Sequence, residues 1–117
     1  MSPTFVESDT GLLITGSPGG STIITNVLGG VLGWLDGQSA AQIVSTPRLH
    51  HQYMPDTVMY ESGALTPVER SALEALGHVM VESKSKWGNT QAVTWNFATG
   101  TIEAASDPRG FGAGLVY

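Results

Sequence analysis

The hydrophobic pattern of the first part of the chain predicts a β-hairpin followed by one long helix. Residues 4–6 and 11–15 are short apolar and β-branched runs separated by the turn-forming residues 7–10, as in two antiparallel strands. Between residues 23 and 35 the apolar side chains recur every three or four positions and form one stripe, and Asp36-Gly37 supplies a stop. Glycines weaken a helix interior, so those inside this segment predict a neighbour too close for a side chain (Gly29, Gly30 and Gly33).

The rest of the chain predicts two further helices and a run of strands. Residues 39–44 form a short helix capped by Ser39 and ended before Pro47, and residues 66–77 form a third helix opened by the capping box of Thr66 and Glu69. Residues 48–55 are predicted as a loop, and residues 57–61, 79–81, 90–97 and 101–105 as strands. The order ββααβαβββ indicates an α+β fold of mostly antiparallel strands with helices packed on one side. A length of 117 residues predicts a single domain, residues 1–117.

Composition and charge narrow the classes of function. Only 13% of the residues are charged, which predicts that another chain or another part of the same protein covers part of the surface. A net charge of −5 with five scattered cations argues against a nucleic-acid partner. The chain has no cysteine, which excludes disulfides and thiolate chemistry. The apolar run at residues 23–35 is too short and too interrupted to span a bilayer, and no signal peptide is predicted.

The segment between the second strand and the long helix carries the strongest chemical signal, Gly16-Ser17-Pro18-Gly19-Gly20-Ser21-Thr22. A tight turn that leads into a helix leaves backbone N–H groups unpaired at the positive end of the helix dipole, where anions bind. Three interpretations remain open: an ordinary strand-to-helix connection, a phosphate-binding loop, and an oxyanion hole formed by the N–H groups of Gly19 and Gly20. The phosphate loop is disfavoured because no lysine precedes Ser21 and no GxGxxG pattern is present. An oxyanion hole requires a nucleophile from elsewhere.

The histidines and the carboxylates near turns are assigned structural roles. His50 and His51 have no third ligand at a metal-binding spacing, so hydrogen bonds within the loop are favoured over a metal site. The carboxylates nearest to turns are Asp56, Glu61 and Asp107, for which surface or capping roles are favoured over acid–base chemistry. No metal or other cofactor is predicted.

The segment Asp107-Pro108-Arg109 is predicted to be a structural turn. Its carboxylate is expected to accept local N–H bonds, and its guanidinium to pair with a carboxylate or a carbonyl. The three tryptophans are predicted to lie in the core or at a buried interface (Trp34, Trp87 and Trp95).

Several motifs follow one another along the chain: Met1-Ser2-Pro3-Thr4, Gly16-Ser17-Pro18-Gly19-Gly20-Ser21, Ala41 with Pro47-Arg48-Leu49-His50-His51-Gln52, Gly77-His78, Gly88-Asn89-Thr90-Gln91 and Ala105-Ser106-Asp107-Pro108-Arg109. In this order they resemble the carboxy-terminal portion of the small subunit of the gamma-glutamyltransferases, also called gamma-glutamyltranspeptidases. The resemblance covers essentially the whole chain. It implies part of an N-terminal-nucleophile hydrolase, an αββα sandwich made from a precursor that cleaves itself into a large and a small subunit.

The resemblance also implies a reaction and a site. In this family the threonine at the new amino terminus of the small subunit attacks the gamma-glutamyl amide of glutathione or a related compound. The resulting acyl-enzyme passes the glutamyl group to water, an amino acid or a peptide. The paired glycines that hold the oxyanion, in contact with the substrate, match Gly19 and Gly20.

Some family residues have no counterpart in this sequence. The match begins at the methionine that in the family follows two substrate-binding serines, so Thr4 does not match the nucleophile. We therefore expect the chain to be inactive alone and to need the large subunit and the amino-terminal part of the small subunit. Exposed apolar edges predict self-association. Many family members are periplasmic or secreted, and a cytoplasmic location is equally compatible with this sequence.

Two other hypotheses are kept. One is a non-catalytic domain that binds a small carboxylate or a protein partner through the glycine turn. The other is a purely structural remnant.

Overall fold

The computed structural model describes residues 3–117, so Met1 and Ser2 of the first motif lie outside the described residues. Strands β1 (Thr4–Ser8) and β2 (Gly11–Gly16) are followed by a 3₁₀ turn (Gly20–Thr22) and by helices α1 (Ile23–Leu35) and α2 (Ala40–Ser45). Then come β3 (Leu49–His50), β4 (Val58–Tyr60), α3 (Pro67–Ala75), β5 (Met80–Glu82), β6 (Gln91–Asn96) and β7 (Ile102–Ser106). The elements form two compact units, one of residues 3–45 and 87–117 and one of residues 46–86. The α+β class is confirmed.

The first unit is built on an antiparallel sheet with the strand order β1-β2-β6-β7. Because side chains alternate along a strand, Leu13 and Thr15 of β2 share one face with Ala92, which pairs with Thr15. This face carries the core, because Leu13 and Ala92 are buried together with residues of α2 (Ala40, Ile43 and Val44). The predicted hairpins and the helices on one side of the sheet are confirmed in this unit.

Helix α1 buries two of its glycines and exposes several of its large apolar residues. Its buried positions are Asn26, Gly30 and Gly33, and a Cβ atom on Gly30 would lie 3.4 Å from Ile43 Cγ2. The close neighbour predicted from the glycines therefore exists at Gly30 and Gly33, whereas Gly29 faces open space.

The most exposed apolar side chains of α1 lie on the other side of the helix. An apolar stripe usually faces the core, but here four of its members are 52–77% exposed (Ile24, Leu28, Leu32 and Leu35). Val31, on the same helix, packs against the core. Among the described residues, no helix is long and apolar enough to cross a membrane.

The second unit contains a three-stranded sheet with the order β3-β4-β5, together with α3. Two expectations are corrected here. Leu49 and His50 lie in the predicted loop but pair with Tyr60 and Met59 as β3, and β5 runs parallel to β4 because α3 connects them. The observed order is thus ββααββαβββ.

The predicted helix caps are confirmed. In α3 the Thr66 hydroxyl accepts the Glu69 N–H at 3.2 Å, while the Glu69 carboxylate accepts the Thr66 N–H at 2.8 Å. In α2 the hydroxyl of Ser39 accepts the N–H of Gln42 at 3.2 Å.

Candidate oxyanion turn

Residues 17–19 connect the end of β2 to the 3₁₀ turn that begins at Gly20 and precedes α1. Gly19 has φ 142° and Gly20 has φ 59°, both in the region that favours glycine. A Cβ atom on Gly19 would also overlap the hydroxyl oxygen of Thr22. The backbone path of this turn therefore requires both glycines.

Two peptide groups of the turn, Pro18–Gly19 and Gly19–Gly20, are each held by hydrogen bonds to their carbonyl oxygen. The Ser17 hydroxyl donates to the Pro18 carbonyl oxygen at 2.9 Å. The Thr22 hydroxyl and the Thr22 N–H both donate to the Gly19 carbonyl oxygen, at 2.9 and 3.2 Å. By contrast, the N–H groups of Gly19 and Gly20 donate no hydrogen bond to any residue between 3 and 117, and both glycines are exposed. Two unpaired donors on neighbouring residues can bind an oxyanion.

A buried polar cluster supports the turn from below. Ser17 is fully buried, and its hydroxyl oxygen accepts from Asn26 Nδ2 at 3.1 Å and from the Asn89 N–H at 3.4 Å. The Ser17 hydroxyl thus uses its donor and both acceptor positions. Asn89 belongs to the segment before β6, so residues distant in the sequence hold the turn together.

The segment that carries Asn89 is itself anchored. Asp107 is buried, and its Oδ2 accepts the Thr90 N–H at 2.7 Å, while its Oδ1 accepts the Arg109 N–H at 2.9 Å and Arg109 Nη1 at 3.0 Å. Arg109 Nη1 also donates to the carbonyl of Val44 at 3.0 Å. The predicted structural turn at residues 107–109, with both of its partners, is confirmed.

Comparison with known proteins identifies the family of this chain. The sequence model described as gamma-glutamyltranspeptidase matches residues 1–117. The chain is 43% identical over 111 residues to the glutathione hydrolase proenzyme of Escherichia coli, across 93% of this chain and 19% of that protein. It is 35% identical over 120 residues to the glutathione hydrolase proenzyme of Pseudomonas aeruginosa, across 99% of this chain and 21% of that protein. The chain belongs to the gamma-glutamyltranspeptidase family.

Solved gamma-glutamyltranspeptidase structures show the same fold. A Helicobacter pylori gamma-glutamyltranspeptidase variant superposes with a TM-score of 0.83 at 31% identity, over 94% of this chain and 61% of that chain. The Pseudomonas nitroreducens enzyme in complex with L-DON gives 0.82 at 35% identity, over 100% of this chain and 62% of that chain. The fold is that of the N-terminal-nucleophile hydrolases. The chain spans about a fifth of the length of its curated relatives.

The other candidate residues of this gamma-glutamyltranspeptidase family chain lie in the second unit. His50 Nε2 is 2.8 Å from Gln52 Oε1, and His51 Nε2 is 2.9 Å from Asp56 Oδ1, so each histidine has a partner within its own segment. Glu61 is buried, and its Oε2 accepts the Arg48 N–H at 3.1 Å. Within residues 3–117, no group of three histidine, aspartate or glutamate side chains could hold a metal ion.

Sequence reasoning singled out the two glycines but missed the residues that hold them. Ser17, Thr22, Asn26 and Asn89 carry no chemical motif that marks them as support. The signal in the sequence was indirect: Ser17 and Thr22 flank the glycines, and serine and threonine side chains readily bond to nearby backbone.

Proposed function

We propose that these 117 residues form the carboxy-terminal part of the small subunit of a gamma-glutamyltransferase and supply the oxyanion hole of that enzyme. The observation that carries the proposal is that Gly19 and Gly20 are exposed and that their N–H groups donate to no residue in the described part of the chain. The family membership gives these donors a reaction in which negative charge develops on a carbonyl oxygen.

The proposed reaction begins with a threonine hydroxyl that another segment of the enzyme contributes. It attacks the gamma-glutamyl amide carbon of glutathione or a related amide. The carbonyl oxygen becomes an oxyanion that accepts hydrogen bonds from the N–H groups of Gly19 and Gly20. The amine then leaves, and water, an amino acid or a peptide takes the glutamyl group from the threonine. One such donor lowers the barrier by about 3 kcal/mol when a tetrahedral intermediate forms. Without the nucleophile that stabilisation is not realised, so the chain alone is inactive.

The remainder of the enzyme is the proposed partner, and two apolar surfaces support this. The sheet face opposite the helices presents Phe5, which is 63% exposed, together with Trp95 and Ile102, each 43% exposed. The stripe of α1 presents four more large apolar side chains without a single charge between residues 23 and 35. Surfaces of this kind are normally covered. In isolation the same surfaces favour self-association, and strictly monomeric elution at high concentration would contradict that expectation.

The test is a chimera in which this chain replaces the matched segment of the Escherichia coli proenzyme. We expect the chimera to release p-nitroaniline from a gamma-glutamyl anilide, and the isolated chain to release none. Gly20→Ala should lower the rate of the chimera, because alanine is strained at a φ of 59°. Gly100→Ala is the matched control, since Gly100 also has a positive φ, 70°, and a Cβ atom there meets no described atom within 4 Å.

Calorimetry on the isolated chain tests the binding-module alternative. The proposal predicts no measurable heat with glutamate or glutathione, because the glutamate-binding residues of the family lie in other segments. Binding by the chain alone, together with an inactive chimera, would favour a small-carboxylate-binding domain.

A further inference from the structure

We propose that Ser17 and Thr22 are positioning residues that orient the two oxyanion donors by holding the carbonyls of the same peptide groups. The inference rests on the proposed function, and it concerns how the donors are fixed rather than which atoms they are.

In a peptide bond, the direction of the carbonyl fixes the direction of the N–H donor. A trans peptide is planar, so its N–H points away from its C=O. Among the described residues the only cis bond is Met54-Pro55, so both peptides of the turn are trans. The Pro18 carbonyl is held by the hydroxyl of the buried Ser17, and the N–H of Gly19 therefore points away from that carbonyl oxygen. The Gly19 carbonyl is held by Thr22, and the N–H of Gly20 therefore points away from the Thr22 hydroxyl.

These bonds matter because glycine has no intrinsic preference for this orientation. A Pro-Gly-Gly turn can rotate either peptide without a steric penalty from side chains. A rotated peptide would present a carbonyl oxygen in place of an N–H, and that oxygen repels the developing negative charge. The hydroxyls of Ser17 and Thr22 favour the orientation in which both N–H groups are available.

Ser17 and Thr22 are not equally replaceable. Ser17 Oγ also accepts from Asn26 Nδ2 and from the Asn89 N–H, so its removal disturbs the packing below the turn. Thr22 Oγ1 has the Gly19 carbonyl as its hydrogen-bond partner, and Thr22 lies at the end of the 3₁₀ turn. Thr22→Val removes the hydroxyl with little change in shape, so Thr22 is the better position for a test.

The first measurement is steady-state kinetics of the chimera with a gamma-glutamyl anilide. Thr22→Val should lower kcat at least about tenfold, with KM unchanged within about twofold, since loss of one oxyanion donor costs about 10²–10³ in kcat. Thr22→Ser should keep most of kcat, because the hydroxyl remains. Thr25→Val is the matched control: its hydroxyl donates to the carbonyl of Thr22 at 3.1 Å, away from both turn peptides.

The second measurement is NMR relaxation of the isolated chain and does not depend on activity. The N–H of Gly20 should have an order parameter near 0.85 in the unsubstituted chain and in Thr22→Ser. It should be lower in Thr22→Val, in which only the N–H of residue 22 still donates to the Gly19 carbonyl. Melting curves of the same variants report any general loss of folding.

The outcomes separate the two proposals. A chimera without activity contradicts the proposed function, and NMR then decides the positioning role. An active chimera in which Thr22→Val keeps its kcat, or in which Thr22→Ser loses as much as Thr22→Val, overturns the positioning role alone. Equal order of the Gly20 N–H in all variants also overturns it.

Discussion

Asn26 Nδ2 donates a hydrogen bond of 3.1 Å to the hydroxyl oxygen of Ser17, and the buried carbonyl oxygen of the same Asn26 amide has no hydrogen-bond partner among residues 3–117. Asn26 is 5% exposed and lies on the inner face of α1. The desolvation cost of the unpaired oxygen offsets part of the stability gained from the hydrogen bond of the NH₂ group. The Asn26 amide therefore serves to position Ser17 as much as to stabilise the fold.

Replacing Asn26 should separate the effect of the donor from the effect of charge. Asn26→Ala is expected to cost about 1–2 kcal/mol, since one hydrogen bond to Ser17 is lost. Asn26→Asp should cost more at neutral pH, because burial raises the pKa of the new carboxyl and penalises its charged form. Its penalty grows as the pH rises above the unfolded value of about 3.9 and shrinks below it. Urea unfolding at neutral and acidic pH measures both, and equal costs at the two pH values would contradict the expectation.

Two neighbouring glycines of α1 offer a matched pair for packing. Gly30→Leu should destabilise the chain by about 1–3 kcal/mol, because a Cβ atom there already lies 3.4 Å from Ile43 and 3.6 Å from the Thr15 hydroxyl. Gly29→Leu should be neutral or stabilising by up to about 1 kcal/mol, because the position is open and leucine favours helix. Thermal melts of the two variants test the assignment of the inner face. The reverse order of stabilities would contradict the assignment of the Gly30 face as the inner face of α1.

The ion pair between Asp107 and Arg109 should contribute far more to the free energy of unfolding than an ion pair of similar length on the surface. Asp107→Ala is expected to cost about 3–5 kcal/mol, because Arg109 would remain buried without its carboxylate. The pair of Arg70 and Glu74 has an N–O distance of 2.9 Å but both side chains are at least 43% exposed, so Glu74→Ala should change stability little. Denaturant titrations of the two variants give the comparison, and similar costs would contradict it.

The capping box of α3 predicts a pH effect. Hydrogen bonds from the N–H and the hydroxyl of Thr66 hold the pKa of the Glu69 carboxyl below its usual value. Because the folded pKa is depressed, the stabilisation is present above the ordinary glutamate value of about 4.3 and is lost as the pH falls through the folded pKa. An NMR titration of the Glu69 carboxyl checks this. Glu69→Gln should remove the contribution of this carboxyl to the pH dependence of stability, and a midpoint at or above the usual value would refute the assignment.

Short sequence patterns predicted several of the local structural features. Residues within a few positions of one another form the hairpin of β1 and β2, the capping box of α3 and the hydrogen bond from the Arg109 N–H to Asp107. Residue type and spacing within a short segment favour these bonds, so the sequence was sufficient to predict them. The candidate glycines were found for the same reason, as a tight turn before a helix.

Long-range contacts decided the rest. The pairing of β3 with β4 and the parallel pairing of β4 with β5 join segments whose sequences do not specify each other. The inner face of α1 is the one with Gly30, because the sheet approaches the helix too closely for large side chains.

The sequence by itself determined the family, the α+β class and the two glycines with positive φ. Only the tertiary structure brought Ser17, Asn26 and Asn89 into one hydrogen-bonded cluster below those glycines, across as many as 72 positions of the chain. The physical reason is that hydrogen bonds between distant segments form only after the sheet and α1 have packed, and no local pattern records which partners packing will supply.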